Sequence, residues 1–192
     1  MPNLLKQIPE TMRKLRIPEE TLVQFNFKTN IPANDSAEEL MALIAQMDEL
    51  LTAEQKLAVM EQQGCCTTGK PAKAHGDFGK KHAGKSIAEK LDHFDELDSV
   101  HKPPVQLNED GTLSAFWGPG EGGENQCVCG FVRKLPECTA VSPTFCGCCG
   151  GHVRKNLQRS LGVKLKLKQI VSSAASSGGK KRCEFVYEVR EA

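Results

Sequence analysis

Residues 163–168 read Val-Lys-Leu-Lys-Leu-Lys, and residues 183–189 read Cys-Glu-Phe-Val-Tyr-Glu-Val. Alternation at period two puts successive side chains on opposite faces of a strand. Val163, Leu165 and Leu167 therefore mark a core face, and Lys164, Lys166 and Lys168 a solvated one. Cys183, Phe185, Tyr187 and Val189 mark the core face of a closing strand. The small residues from Ser172 to Lys181 make the turn between the two. The pair predicts a C-terminal antiparallel sheet.

Working outward, Val153, Leu157 and Leu161 repeat at helical spacing, and Gly162 stands where a helix C′ glycine belongs. Cys146 to Gly151 reads as a cysteine-bearing turn ahead of that helix. Val105–Leu107 and Leu113–Trp117 flank Asn-Glu-Asp-Gly and predict a hairpin. A short strand is expected from Cys127 to Val132. The first third reads as helices. Pro18 with Glu19 and Glu20 suits a first helical turn, and Ser36 with Glu39, Thr52 with Gln55 and Ser86 with Glu89 are capping-box signatures. Residues 67–84 show almost no periodicity and are expected to be a loop. His101-Lys-Pro-Pro104 serves as a boundary.

The fold class predicted is α+β, with N-terminal helices and a C-terminal antiparallel sheet backed by helices. Residues 1–104 form the helical region and 105–192 a cysteine-rich α/β domain, packed as one globule. A chain of 192 residues with 39% hydrophobic content can build a core. Its longest apolar run, Leu40 to Ala45, is far short of the ~20 residues a membrane helix needs. With no apolar signal core at the N-terminus, a soluble, cytoplasmic protein is expected. Residues 1–124 hold 13 Lys/Arg against 20 Asp/Glu, whereas residues 125–192 hold 12 against 4. Two halves of opposite sign can attract each other or a charged partner, or simply present differing solvated faces. Aromatics make up 5% and no recognition-helix pattern occurs, so nucleic acid is not an expected partner.

Gly79-Lys-Lys-His-Ala-Gly-Lys-Ser86 matches the P-loop pattern by letter. Phosphate cradling requires a buried strand immediately upstream, and Pro71 to Asp77 supplies none, so nucleotide binding is not expected.

Nine cysteines carry the chemistry. In a reducing compartment such clustering points to metal, an iron–sulfur cluster or thiol chemistry rather than a disulfide framework. Cys127-x-Cys129, Cys138 and Cys146-x-Cys148-Cys149 lie within 23 residues. Cys127, Cys129, Cys146, Cys148 and Cys149 are the candidate metal ligands, with zinc the expected occupant, an iron–sulfur cluster second, and Cys138, Cys65 and Cys66 in reserve. Buried or reactive thiols are the competing readings. Cys183 reads as structural, and His152, early in the helix, as a solvated histidine.

The order Cys146-x-Cys148-Cys149-x-Gly151, Leu157-x-x-x-Leu161-Gly162, alternating Val163 to Leu167, Ser172-Ser173, Gly178-Gly179 and Cys183-x-Phe185 resembles the C-terminal part of 4-vinyl-reductase-type domains. It is also similar to the related L-2-amino-thiazoline-4-carboxylic acid hydrolase family. The likeness covers residues 127–190. It implies an α/β sandwich with a pocket for a small, often apolar molecule, and Phe116, Trp117 and Phe131 are candidates to line that pocket. The extra cysteines depart from simpler members, and no Ser-His-Asp set or paired acids near the cluster supports hydrolysis. The expected function is therefore a small-molecule-binding or sensing protein with a cysteine-rich zinc site. The alternative is a metal- or thiol-dependent hydrolase of a small sulfur- or nitrogen-containing substrate. Homodimerisation stays open.

Overall fold

The computed structural model describes residues 3–27, 36–64, 68–100, 102–118, 126–136, 139 and 141–190. Among them are seven α-helices and a four-stranded antiparallel sheet whose strands all lie in the C-terminal part, an α+β fold.

The N-terminal helices are α1 (Leu4–Lys14), α2 (Glu19–Leu22), α3 (Ala37–Leu50) and α4 (Ala53–Met60). Side-chain oxygens hold the starts of α1, α3 and α4. Asn3 accepts from the Lys6 N–H, and Ser36 from that of Glu39. Thr52 and Gln55 form a reciprocal capping box. A 3₁₀ turn, Glu61–Gln63, extends α4. Ile8, Met12, Leu40, Met47, Val59 and Met60 bury their side chains together.

Gly69–Lys81 forms α5, where a loop was expected. Its glycines and Pro71 weaken intrinsic helix propensity, and packing overrides that weakness. His75 and Phe78 point inward, and Gly79 lies directly against the backbone of residue 159. Helix α6 (Ile87–Asp92) follows with its Ser86–Glu89 capping box, then a 3₁₀ turn at Phe94–Glu96. The P-loop-like stretch thus runs from the end of one helix through a turn to the next. A helix stands where a phosphate cradle needs a strand.

Strands β1 (Val105–Leu107) and β2 (Leu113–Trp117) form the expected hairpin, with Gly111 at φ 78° in its turn. The long helix α7 (Pro143–Leu161) leads into β3 (Lys164–Ser172) and β4 (Cys183–Arg190). The sheet order is β1-β2-β4-β3, with Leu113 opposite Tyr187 and Tyr187 opposite Leu167. Strand β3 lies at the edge. The Leu165 and Leu167 N–H groups donate to Gln158 Oε1 and Glu61 Oε2, both at 2.9 Å, so side chains cover part of that edge.

Two expectations near the cysteines are corrected. Residues 127–132 form no strand; a 3₁₀ turn, Val132–Lys134, closes an irregular segment. Cys146 to Gly151 is not a turn but the first half of α7. Its start is set by Ser142, whose Oγ accepts the Thr144 N–H, and by Pro143 in the first turn, where its missing N–H costs nothing. Asp48 of α3 fastens that start by accepting from the Ser142 and Thr144 hydroxyls. Gly162 ends the helix at φ 71°, as expected.

The glycines inside α7 serve close approach. A Cβ on Gly151 would stand 2.1 Å from the Glu61 carbonyl oxygen, and one on Gly147 2.7 Å from Met60 Cβ. On another face, Val153, Leu157 and Leu161 pack on Leu165, Leu167, Phe185 and Tyr187. Burying a leucine such as Leu157 contributes about 1.5–3 kcal/mol.

Candidate functional site

Six of the nine cysteines fall within the described residues; Cys65, Cys66 and Cys138 lie outside them. Cys146 and Cys149 are three residues apart on α7 and so share a face. The Cys146 thiol donates to Ser173 Oγ at 3.2 Å, just beyond the end of β3. Cys149 is hydrogen-bonded to Cys129 and packs with the sheet-side core. Cys148 projects another way, into the helical core, and donates to the Gln63 carbonyl at 3.3 Å. Cys183 Sγ accepts the Ala174 N–H at 3.4 Å. Cys127 lies within electrostatic reach of Cys129 and Cys183, and Arg133 Nε donates to its carbonyl.

The six described cysteines are therefore linked pairwise rather than gathered at one point: Cys127 is within electrostatic reach of Cys129 and Cys183, Cys146 of Cys183, Cys127 and Cys129, and Cys149 of Cys148, Cys129 and Cys146, while the Cys148 thiol also donates to Gln63. Sequence reasoning left Cys183 out because an inward position on an alternating strand is the mark of a core residue. The missed signal was its partner across the hairpin turn: Ser173 and Ala174 are consecutive, and they hold Cys146 and Cys183 respectively. Among the described residues no group of three or more His, Cys, Asp or Glu side chains is arranged to hold a metal ion. The sulfurs are neighbours without being closed about a point.

Their chemistry follows from burial. Loss of water disfavours the thiolate and pushes Cys146 up to about 12, with Cys127 and Cys183 also raised. Cys149 is raised further by its hydrogen bond with Cys129, then by burial and by the neighbouring cysteines. All four are thiols at neutral pH and correspondingly weak nucleophiles. Ser173, Cys129 and Ala174, the partners of Cys146, Cys149 and Cys183, include no base.

A buried polar group adjoins the cluster. Tyr187 is wholly buried and donates its hydroxyl to the Gly150 carbonyl at 2.8 Å, next to Cys149. Glu61 binds Arg154 Nη1 at 3.0 Å and the Leu167 N–H, and burial raises its carboxyl above the usual range. His152, read as solvated, is buried and has its Nε2 3.2 Å from Asn156 Nδ2.

The ligand pocket expected between the sheet and its helices is replaced there by packed core. Leu157, Leu161, Leu167 and Phe185 are each at most 1% exposed. Phe116 is capped by the Arg182 guanidinium 3.9 Å above its ring, and Phe131 packs on Phe145. A cavity of about 330 Å³ lies instead between α1 and α3, lined by Leu5, Asn26, Phe27, Ser36, Leu43 and Gln46 among others. No described helix is long and apolar enough to cross a membrane.

No protein-family model and no curated protein matches the chain. Among solved structures, an H-NOX protein from S. oneidensis in the Fe(II)NO ligation state aligns over 100% of both chains at 13% identity, with a TM-score of 0.38. At that score the likeness carries no statement about fold or function.

Proposed function

We propose that this is a small-molecule-binding or sensing protein whose chemical centre is the thiol cluster at the head of α7, and that the cluster takes a soft metal ion, zinc first. The observation that carries the reading is the hydrogen bond between Cys129 and Cys149, with Cys127 and Cys146 within electrostatic reach of Cys129 and with Cys146 and Cys148 within reach of Cys149. Thiolate-rich, carboxylate-free donor sets select zinc, copper(I) or iron–sulfur clusters. A metal supplies what burial withholds, because its charge stabilises the thiolates and ligation releases their protons. Loading would then draw together sulfurs that as neutral thiols point at separate hydrogen-bond partners.

A sensing or structural role is favoured over hydrolysis. Four thiolates close a zinc site, whereas a catalytic zinc keeps a position for water. The named partners of the thiols offer no general base. The order of α7, Leu161-Gly162, β3, turn and Cys183-x-Phe185 in β4 supports keeping the proposed kinship with 4-vinyl-reductase-type domains. The test is elemental analysis and X-ray absorption of protein purified without chelator. The expected result is one zinc per chain with an all-sulfur shell near ~2.3 Å. A brown, iron-containing protein would replace zinc by a cluster. Metal-free protein that takes up neither zinc nor iron would overturn the metal site.

A further inference from the structure

We propose that Cys129 and Cys149 are an oxidisable pair, which a hydroperoxide converts to an intramolecular disulfide. The proposal builds on the thiol cluster named above and needs no metal there. Cys129 lies on the irregular segment and Cys149 on α7, and a hydrogen bond joins the two thiols directly. The named partners of the other described thiols lie elsewhere. Cys146 donates to Ser173 Oγ, Cys148 donates to the Gln63 carbonyl, and Cys183 accepts the Ala174 N–H. Cys127 accepts the backbone N–H of Cys129, which sets the turn between them. Cys146 and Cys149 have C-x-x-C spacing, but Ser173 holds the first thiol and Cys129 the second.

The segment that carries Cys129 is itself anchored. The Arg133 N–H donates to the Cys129 carbonyl at 3.1 Å, and Arg133 Nε donates to the Cys127 carbonyl at 3.0 Å. Cys129, Phe131 and Val132 pack on the helical core, whereas Cys149 packs on the sheet-side core. The pair thus spans the seam between the two cores, and a bond there fastens one to the other. Cys129 is half-buried, within reach of a small oxidant. Its thiolate attacks the peroxide and the O–O bond breaks. A sulfenic acid stays on Cys129, and the departing alcohol takes up the thiol proton. Cys149 then attacks that sulfur, and the sulfenic hydroxyl leaves as water with the Cys149 proton. Two thiols lose two electrons and two protons, while ROOH becomes ROH and water. Burial disfavours the Cys149 thiolate, so the second step is slow.

The experiment treats the full-length protein, freed of metal by chelator, with hydrogen peroxide and then blocks the remaining thiols with N-ethylmaleimide. Linkages are mapped by non-reducing peptide mass spectrometry with fragmentation. The main product expected is a Cys129–Cys149 linkage that dithiothreitol reverses. It should be absent from Cys129→Ser and Cys149→Ser and retained in Cys146→Ser. Wild type alone reveals the pairing, so the result does not depend on the variants folding. Closing this loop should raise Tm by roughly 6–12 °C over the reduced form. A dominant Cys146–Cys149 or Cys127–Cys129 linkage would overturn the proposal. So would a Cys129–Cys149 bond that forms only after denaturation, or a cross-linked protein that melts no higher than the reduced one. Zinc uptake is measured separately on the reduced protein, so the pair and the metal reading can each fail alone.

Discussion

A Cβ built on Gly79 stands 2.1 Å from the carbonyl oxygen of Arg159, so α5 and α7 meet backbone to backbone. No side chain can yield there to make room. Gly76, one turn earlier on the same helix, has nothing within 4 Å of its added Cβ. The two positions therefore separate packing from helix propensity. Gly79→Ala should lose at least about 2 kcal/mol, because the helices must part. Gly76→Ala should gain about 0.5–1 kcal/mol by removing backbone freedom from the unfolded chain. Urea unfolding of both variants checks this, and equal effects would show that α5 does not press on α7.

That contact also shows where the sequence was readable. Elements whose signals are local were legible: the capping boxes at Thr52 and Ser86, the Asp-Gly hairpin, the Gly162 stop and the alternation in β3 and β4. Helix α5 and the first half of α7 were not, because glycine is a poor helix former in isolation and reads as a turn. In the fold those glycines admit Arg159, Glu61 and Met60, which are distant in sequence. Ser142-Pro143 carried a start signal for α7 that the glycines masked. Near the cysteines, the helical face shared by Cys146 and Cys149 follows from their spacing, whereas the hydrogen bonds of Cys148 to Gln63 and of the Ala174 N–H to Cys183 are tertiary facts.

Glu61 joins three elements by binding Arg154 of α7 and the Leu167 N–H of β3 from the turn after α4. Glu61→Ala should cost about 3–5 kcal/mol, since it leaves a largely buried guanidinium without its carboxylate. Glu61→Gln keeps an acceptor for Leu167 and should cost less. Burial raises the Glu61 pKa, so the folded state holds this proton more tightly than the unfolded chain does. Its contribution is greatest below the unfolded value of 4.5 and falls as pH rises through the raised folded value. Chemical denaturation across that range should show a shallower decline in Glu61→Gln. An unchanged slope would mean that Glu61 titrates as an exposed acid.

Glu96 runs in the opposite direction. Lys81, at 2.7 Å, holds its carboxyl down to about 2, helped by His93 at 3.0 Å and by the charge of His82. A depressed folded pKa contributes stability that is present above 4.5 and lost as pH falls toward about 2. Acid unfolding of Glu96→Gln should therefore show less loss across that window than wild type. Because the carboxylate is exposed and screened, the test is most sensitive at low salt. Superimposable acid profiles would mean that these contacts do not persist in solution.

Tyr187 is buried without a free hydroxyl, since its O–H donates to Gly150 in the middle of α7. Tyr187→Phe keeps the ring and should cost about 1 kcal/mol, the net value of one such bond. The Gly150 carbonyl lies beside Cys149, so the same change should alter reactivity at Cys149 more than at Cys127. Thiol mapping with a slow alkylating reagent reads the difference. Equal changes at both residues would indicate general loosening.

On the proposed reading that the thiols take a metal, uptake should appear as stability, because an ion held by the folded state alone shifts the unfolding equilibrium. Free zinc at a hundred times its dissociation constant contributes about 2.7 kcal/mol. For a chain of 192 residues that corresponds to a rise in Tm of roughly 5–11 °C. Cys149→Ser should abolish this rise, since Cys149 is the residue hydrogen-bonded to Cys129 and the link between α7 and the irregular segment. In the absence of metal the variant should melt near wild type, because the Cys149 thiol is neutral and a serine hydroxyl can take its place toward Cys129. Lowering the pH should erase the zinc effect in wild type as protons compete for sulfurs whose pKa burial already raises. The rise is expected at pH 8 and should shrink steadily below neutrality. A zinc-induced rise that survives in Cys149→Ser, or one independent of pH, would place the ion on groups other than these thiols.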